Sequence, residues 1–169
     1  MIDFESYVDY FKGLAEKHSD INPSPDYKAF FRLNIDELLT GLRSDIDPNS
    51  FVMVLESYEH SPIDNLSENH LSNFTGAFMI IKKNEEISDF DNQDVIITEC
   101  EKICVEIQRR IYDESINDYA NRFFTDINPS DFTFNKVGPL YNSWFGFRCQ
   151  FNFTSTYSIK VDAGKWTDL

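Results

Sequence analysis

A strict alternation of residue types between positions 145 and 154 limits how this chain can fold more than any other feature. Four phenylalanines and one cysteine occupy every second position: Phe145, Phe147, Cys149, Phe151 and Phe153. Smaller or polar residues lie between them: Gly146, Arg148, Gln150, Asn152 and Thr154. Because successive side chains of a β-strand point to opposite faces, this pattern predicts a ten-residue strand with one buried face and one polar face. An all-helical fold is therefore excluded.

Two segments carry the three-to-four spacing of an amphipathic helix. In the first, Asp3 can cap the N-terminus, and the pattern ends near Lys17. Its apolar stripe comprises Phe4, Tyr7, Val8, Phe11, Leu14 and Ala15. The second is predicted from Asp91 to Glu114, roughly 36 Å at 1.5 Å per residue. Its seam comprises Val95, Ile96, Cys100, Ile103, Cys104, Ile107 and Ile111.

Other apolar runs predict further strands. Residues 51–55 and 74–81 are apolar at both parities, which indicates strands covered on both faces. Residues 131–141 alternate in part, and Gly138-Pro139 would interrupt that strand or place it at an edge of the sheet. Residues 29–33 are short and apolar and form a further candidate strand.

Two intervening segments have different predictions. Asn34 or Asp36 can cap a second short helix, whose buried face would comprise Leu38, Leu39 and Leu42. Residues 59–73 are polar and contain Pro62, which predicts a loop of about 15 residues. Loops longer than roughly 12–15 residues are uncommon in compact domains and are often functional.

This order of elements predicts the fold class. We expect one α+β domain over residues 1–169, with a polar C-terminal tail from about residue 155. Its sheet would have about four antiparallel or mixed strands, with the long helix and the N-terminal helix packed on it. No stretch approaches the ~20 apolar residues of a membrane helix, and the N-terminus lacks the pattern of a signal peptide.

The charge of the chain disfavours several classes of partner. Fifteen basic and 29 acidic residues give a net charge of −14, whereas nucleic-acid binders need basic surfaces to replace the counterions of phosphate. An anionic membrane surface is disfavoured for the same reason. Eleven of the acids lie in residues 85–118, against three basic residues. That segment is either a solvated helix face or an acidic surface that meets a basic partner or lines a passage.

No motif for catalysis, cofactor binding or metal binding is present, so we expect no enzyme and no cofactor. Cys100 and Cys104 share a helix face, but nothing nearby completes the four ligands usual for zinc, so we expect buried thiols. His60, Asp64 and His70 lie in the predicted loop and are candidate interaction residues. Tyr58 and Trp166 are candidate interface anchors, because Tyr and Trp are enriched at binding hot spots.

The order of elements resembles that of tail-terminator (tail-completion) and related head–tail joining proteins of long-tailed bacteriophages. The resemblance is carried by MIDFESYVDYFKGLAEKH, DPNSFVMVLES, NFTGAFMIIKK, DVIITECEKICVEIQRRIYDE and SWFGFRCQFNFTSTYSI. It covers most of residues 1–159 as architecture, and it transfers no catalytic or binding residue.

The resemblance implies a structural virion protein. Such a protein would form a homo-oligomeric ring, commonly a hexamer, that caps the tail tube and contacts tail-tube and neck or connector proteins. It would be found in the host cytoplasm during assembly and then in the tail or neck of the virion. DNA could pass through the ring without being bound specifically, and an acidic lumen would repel phosphate.

Two alternatives remain open at this stage. The first is an acidic phage or mobile-element interaction module, such as an inhibitor that mimics DNA. The second is a small hydrolase that uses residues 59–73, with His60, Asp64 and His70 in its site.

Overall fold

The structure, a computed structural model, describes residues 2–21, 26–32, 46–47, 49–64, 70–117, 123–124, 126–140 and 143–167. These residues form an α+β fold with two helices and a six-stranded, mostly antiparallel sheet. The helices are α1 (Phe4–Lys17) and α2 (Phe90–Asn117). The strands are β1 (Phe30–Arg32), β2 (Val52–Leu55), β3 (Glu59–Ile63), β4 (Leu71–Lys83), β5 (Phe132–Leu140) and β6 (Trp144–Thr156).

Strands β4 and β6 form the centre of the sheet. They pair antiparallel over 13 residues, from Leu71 opposite Thr156 to Lys83 opposite Trp144. The strand order is β1-β2-β4-β6-β5, and β3 pairs with the part of β4 that β2 leaves free. Only β1 and β2 pair in parallel among the described strands. Among the described strands, β5 therefore forms one edge of the sheet, which is one of the two outcomes expected from Gly138-Pro139.

Helix α1 begins and ends as its sequence predicts. The Asp3 carboxylate accepts a hydrogen bond from the Ser6 backbone N–H at 2.8 Å, which satisfies one of the donors left open at a helix start. The buried side of α1 comprises Tyr7, Phe11, Leu14 and Ala15. Phe4, which the predicted stripe includes, is exposed instead because it lies at the start of the helix, beyond the core.

Helix α2 is one residue longer at its start and three longer at its end than predicted. Its buried seam contains Ile96, Ile97, Cys100, Ile103, Cys104, Ile107 and Ile111. The prediction is wrong at Val95, whose side chain is 53% exposed. The nearby Ile97 is buried instead, and the helical spacing alone does not show which of Val95 and Ile97 faces the core.

Both helices contribute to a core on one face of the sheet. Phe11 of α1 stacks on Phe151 of β6, with ring centroids 5.4 Å apart, and contacts Phe78 of β4 at 5.6 Å. Phe145, Cys149, Phe151 and Phe153 of β6 are all buried there. The apolar residues of the alternating pattern thus form the sheet's side of this core.

The opposite face of the sheet is buried over part of its area. A second cluster contains Phe31, Val52, Val54, Met79, Ile81 and Trp144. Burial on both faces confirms the prediction for β2. The same face also carries Arg148, whose Nε and Nη2 donate to the two carboxylate oxygens of Glu56 at 2.6 and 2.8 Å. This paired contact fixes the end of β2 against β6.

Two predictions of topology need correction. The sheet has six strands rather than about four, and the predicted loop at 59–73 is largely a hairpin formed by β3 and the start of β4. Strand β3 was missed because its sequence, EHSPI, is polar and exposed along most of its length. Backbone pairing with β4, rather than side-chain burial, makes it a strand. The predicted helix with Leu38, Leu39 and Leu42 lies outside the described residues.

No helix in the described ranges combines the length and apolar composition needed to cross a lipid bilayer.

Candidate interaction surface

The structure places Tyr58 and His60 in an aromatic cluster beside the hairpin. The Tyr58 ring lies 5.1 Å from Tyr7 and 5.2 Å from Phe74, and burial raises the pKa of its hydroxyl. The His60 ring stacks on Phe74 at 5.1 Å, and its Nδ1 lies 3.2 Å from the buried Ser72 hydroxyl. These contacts join Tyr58 and His60 to the core, so their partly exposed edges form a rigid surface.

Asp64 and His70 lie on either side of the hairpin's end. Asp64 follows β3 and is exposed, whereas His70 precedes β4 and is half-buried. The His70 carbonyl accepts a hydrogen bond from the Tyr157 backbone N–H at 2.9 Å. His70 therefore lies beside Tyr157, the residue at which the chain leaves the sheet after β6.

The C-terminal arm, residues 157–167, begins at that point. Its exposed apolar side chains are Ile159, Val161 and Trp166, with 60%, 64% and 59% of their surface accessible. The Asp162 carboxylate accepts from the Gly164 N–H at 3.0 Å and so caps a short 3₁₀ turn over Ala163–Lys165. Trp166 directly follows this turn, and its backbone N–H donates to the Ala163 carbonyl.

A second group of exposed apolar residues surrounds a shallow groove before and at the start of α2. Its apolar lining comprises Ile87, Phe90, Pro139 and the buried Phe145. Ile87 is 53% and Phe90 71% exposed. Glu85 and Glu86 line the same groove. We call these residues the acidic groove.

Buried Asn84 organises the loop that forms the acidic groove. Its side-chain amide donates to the carbonyls of Glu86 at 2.9 Å and Asp89 at 3.2 Å. Its side-chain oxygen accepts from Asn92 at 2.7 Å. Gln93 in turn donates to the Ile87 carbonyl at 2.6 Å. The groove is therefore held in shape before anything binds.

Sequence reasoning missed the acidic groove, because helical spacing places Phe90 beside the buried seam. Phe90 lies seven residues before the buried Ile97, so the two side chains are only ~20° apart around the helix at 100° per residue. Periodicity therefore predicts burial of Phe90, and only the structure shows that 71% of its surface is exposed.

The acidic segment around α2 lies largely on the surface. Its exposed carboxylates belong to Glu85, Glu86, Asp89, Asp91, Asp94, Glu101, Glu106 and Asp113. Two others are paired: Glu99 lies 3.8 Å from Lys82, and Glu114 lies 2.5 Å from Arg110. The surplus of negative charge is thus presented to solvent or to a partner.

One cluster of potential metal ligands occurs in the described ranges, at the end of α1. Its donor atoms, from His18, Asp20 and Glu106, lie within 4.8 Å of one another. The Asp20 N–H donates to Nδ1 of His18 at 3.2 Å, so neutral His18 carries its proton on Nε2, which faces Glu106 at 3.2 Å. A metal at Nε2 would have to displace that proton, and Lys17 and Arg110 line the same cavity. We interpret the cluster as a hydrogen-bonded link between the helices.

The cysteines are buried, as predicted. Cys100, Cys104 and Cys149 are free thiols with no accessible surface. Burial raises the pKa of Cys100 and of Cys149 to about 12, and it raises the pKa of Cys104 as well. The Cys104 thiol donates to the Phe147 carbonyl at 3.5 Å. These groups contribute to packing between α2 and β6.

No protein-family model matches this chain, and no curated protein matches it significantly.

Proposed function

We propose that this chain is a structural protein that assembles with copies of itself, in the manner of a phage tail-terminator or head–tail joining protein. The C-terminal arm is the observation that carries the proposal. Ile159, Val161 and Trp166 leave most of their apolar surface in water, which costs free energy that burial in an interface would recover.

The form of the arm suits an intermolecular contact. It leaves the sheet directly after β6 and projects three large apolar side chains without needing the domain to open. Tryptophan is enriched among the residues that dominate binding energy. An arm of this kind joins subunits while each keeps its own core.

The edge of the sheet supports the same proposal. Within the described ranges, strand β5 pairs with β6 on one side only, so no described strand covers its outer edge. Such edges pair readily with other chains. Beyond Val137, Gly138-Pro139 interrupts the register and limits how far pairing could extend.

The charge distribution suits a protein through which DNA passes. Exposed carboxylates around α2 repel phosphate, so a ring that presented this surface to its lumen would let DNA through without binding it. Under this proposal the partners are further copies of the chain, tail-tube protein and neck or connector protein.

Particle mass and shape in solution test the proposal. We expect light scattering to give a mass several times the 19.8 kDa of one chain and negative-stain images to show rings. Replacing Ile159, Val161 and Trp166 together by serine should yield monomers. Val95→Ser is the matched control, because Val95 is exposed to a similar extent on α2; this variant should still assemble. A monomer at every concentration, alone and with tail-tube protein, would refute the proposal.

The acidic surface of α2 favours a second candidate, an inhibitor that mimics DNA. Carboxylates arranged along one helix can occupy the phosphate sites of a DNA-binding enzyme. This candidate predicts that the chain displaces a DNA duplex from a restriction endonuclease or a polymerase. Asp91→Asn and Asp94→Asn should then weaken displacement more than the arm substitutions do. Failure to displace DNA at low salt would remove this candidate.

A further inference from the structure

We infer that the C-terminal arm of one copy binds in the acidic groove of a second copy, so that subunits associate head to tail. The inference rests on the proposed self-assembly and names the two surfaces that meet. It follows from the chemistry of each surface and from their positions in the molecule.

The acidic groove suits an apolar segment that carries positive charge. Phe90 and Ile87 provide an exposed apolar floor, and Glu85 and Glu86 lie at its border. The hydrogen bonds of Asn84 fix this arrangement, so little conformational entropy would be lost on binding.

The arm has the complementary composition. Lys160 lies between Ile159 and Val161, and Lys165 directly precedes Trp166. Residues 157–167 carry two lysines and one acid, Asp162, whereas the chain as a whole has 15 basic and 29 acidic residues, so the arm is locally positive in an acidic chain. Apolar anchors with adjacent cations match an apolar floor with adjacent carboxylates.

The two surfaces lie at opposite ends of the molecule. Phe145 of the groove is near the start of β6, and the arm leaves after Thr156, eleven residues later. At ~3.3 Å per residue the two points are roughly 36 Å apart. Val161 follows Thr156 by five residues, which span at most ~18 Å. Val161 therefore cannot reach the groove of its own chain. Trp166 lies ten residues beyond Thr156 and would span ~36 Å only in a fully extended arm, whereas the 3₁₀ turn over Ala163–Lys165 shortens the arm. Both anchors can reach the groove of a neighbour.

A contact between two different surfaces has consequences for symmetry. Each copy would use its arm on one neighbour and its groove on the other, which is a heterologous interface. Such interfaces close into rings when the rotation between copies permits, and otherwise form filaments. A two-fold dimer, in which one surface meets itself, does not follow from this pair of surfaces.

Variants in each surface test the inference. We expect Ile87→Ser with Phe90→Ser to abolish assembly by removing the groove floor, and Val161→Ser with Trp166→Ser to abolish it by removing the arm anchors. All four side chains are more than half exposed, so circular dichroism should match that of the unmodified chain. Val95→Ser serves again as the control that keeps assembling.

Mixing the two double variants gives the decisive result. The groove variant retains an intact arm, and the arm variant retains an intact groove. A mixture should therefore form a 1:1 complex of twice the monomer mass, although each variant alone is a monomer. A mixture that stays monomeric would overturn the inference.

A charge exchange tests the ionic part of the contact. Glu86→Lys alone and Lys165→Glu alone should each weaken assembly, and a chain carrying both should recover it, because the opposite charges meet again. Glu101→Lys combined with Lys165→Glu is the control and should not recover assembly, since Glu101 lies on α2 outside the groove.

The outcomes separate the inference from the proposed function. If the unmodified chain is a monomer, both fail. If it assembles and the groove variant assembles equally well, docking in the groove is refuted while self-assembly stands.

Discussion

At the scale of single residues, Gly146 lies where two strands leave no room for a side chain. A Cβ at this position would overlap the carbonyl oxygen of Ile80 on β4. Gly13, in α1, has no neighbouring atom within 4 Å of the corresponding position. The same substitution should therefore have opposite effects at the two sites.

We expect Gly146→Ala to lower the free energy of unfolding by about 1–3 kcal/mol, since the strands must shift apart. Gly13→Ala should raise it by about 0.5–1 kcal/mol, because alanine loses less backbone entropy in a helix. Urea denaturation of both variants measures these changes. Equal effects at the two positions would show that β4 and β6 are not as close as described.

The buried thiols make stability depend on alkaline pH. Cys100 and Cys149 have a pKa of about 12 in the folded chain, whereas an unfolded thiol ionises near ~8.5. Because the folded pKa values are raised, their contribution is fully present below the unfolded value. It is lost as the pH rises from there toward the folded value.

We therefore predict that the free energy of unfolding in urea falls steadily between about pH 8.5 and 11. Cys149→Ala removes one titrating thiol, so its stability should fall less steeply with pH, whatever its stability at pH 7. The test is the slope of the free energy of unfolding against pH, and not its absolute value. An unchanged slope would indicate that Cys149 is accessible in the folded chain.

At the scale of elements, the loop between β4 and α2 depends on one buried amide. Asn84 joins the Glu86 and Asp89 carbonyls and the Asn92 side chain, and its own N–H donates to the Ser143 carbonyl at 2.8 Å. Removal of the side chain loses three partly buried hydrogen bonds, each worth about 0.5–1.5 kcal/mol. The Glu86 and Asp89 carbonyls keep their backbone donors, the N–H groups of Asp89 and Gln93.

We expect Asn84→Ala to lower the free energy of unfolding by about 1–3 kcal/mol and to loosen the acidic groove. Hydrogen exchange should then increase in residues 84–92 while the centre of the sheet stays protected. Asn73→Ala is the control, because Asn73 is exposed on β4 and its loss should have little effect. Unchanged exchange in residues 84–92 would show that Asn84 does not hold the groove.

Elements with a strong local pattern were predictable, and elements without one were not. Helix α1 and strand β6 each bury one face, so their periodicity in the sequence specified them. Strand β3 has no such signal, because both of its faces are largely exposed and it pairs with residues of β4 that are eight to sixteen positions away.

At the scale of the whole molecule, exposed apolar surface and charge are distributed unevenly. Ile87 and Phe90 lie among acids at one end of β6, and Ile159, Val161 and Trp166 lie beyond its other end. A chain of net charge −14 repels its own copies at long range. Association therefore needs local contacts of this kind to overcome that repulsion.

Among the candidate site residues, the sequence named Trp166 and Tyr58 from residue type alone. It did not indicate that Trp166 is exposed on an arm, or that Tyr58 packs on Tyr7 and Phe74. Ile87 and Phe90 were not recognised as surface residues, because a hydrophobic residue is assigned to the core unless its pattern indicates otherwise.

By itself the sequence determined the α+β class, the two main helices, the apolar face of β6 and the acidic surplus around α2. Each follows from short-range periodicity or from composition. Only the tertiary structure decided the pairing of β3, the exposure of Phe90 and the separation of the groove from the arm. These depend on which distant residues meet, and a contact between distant segments leaves no periodic pattern in the sequence.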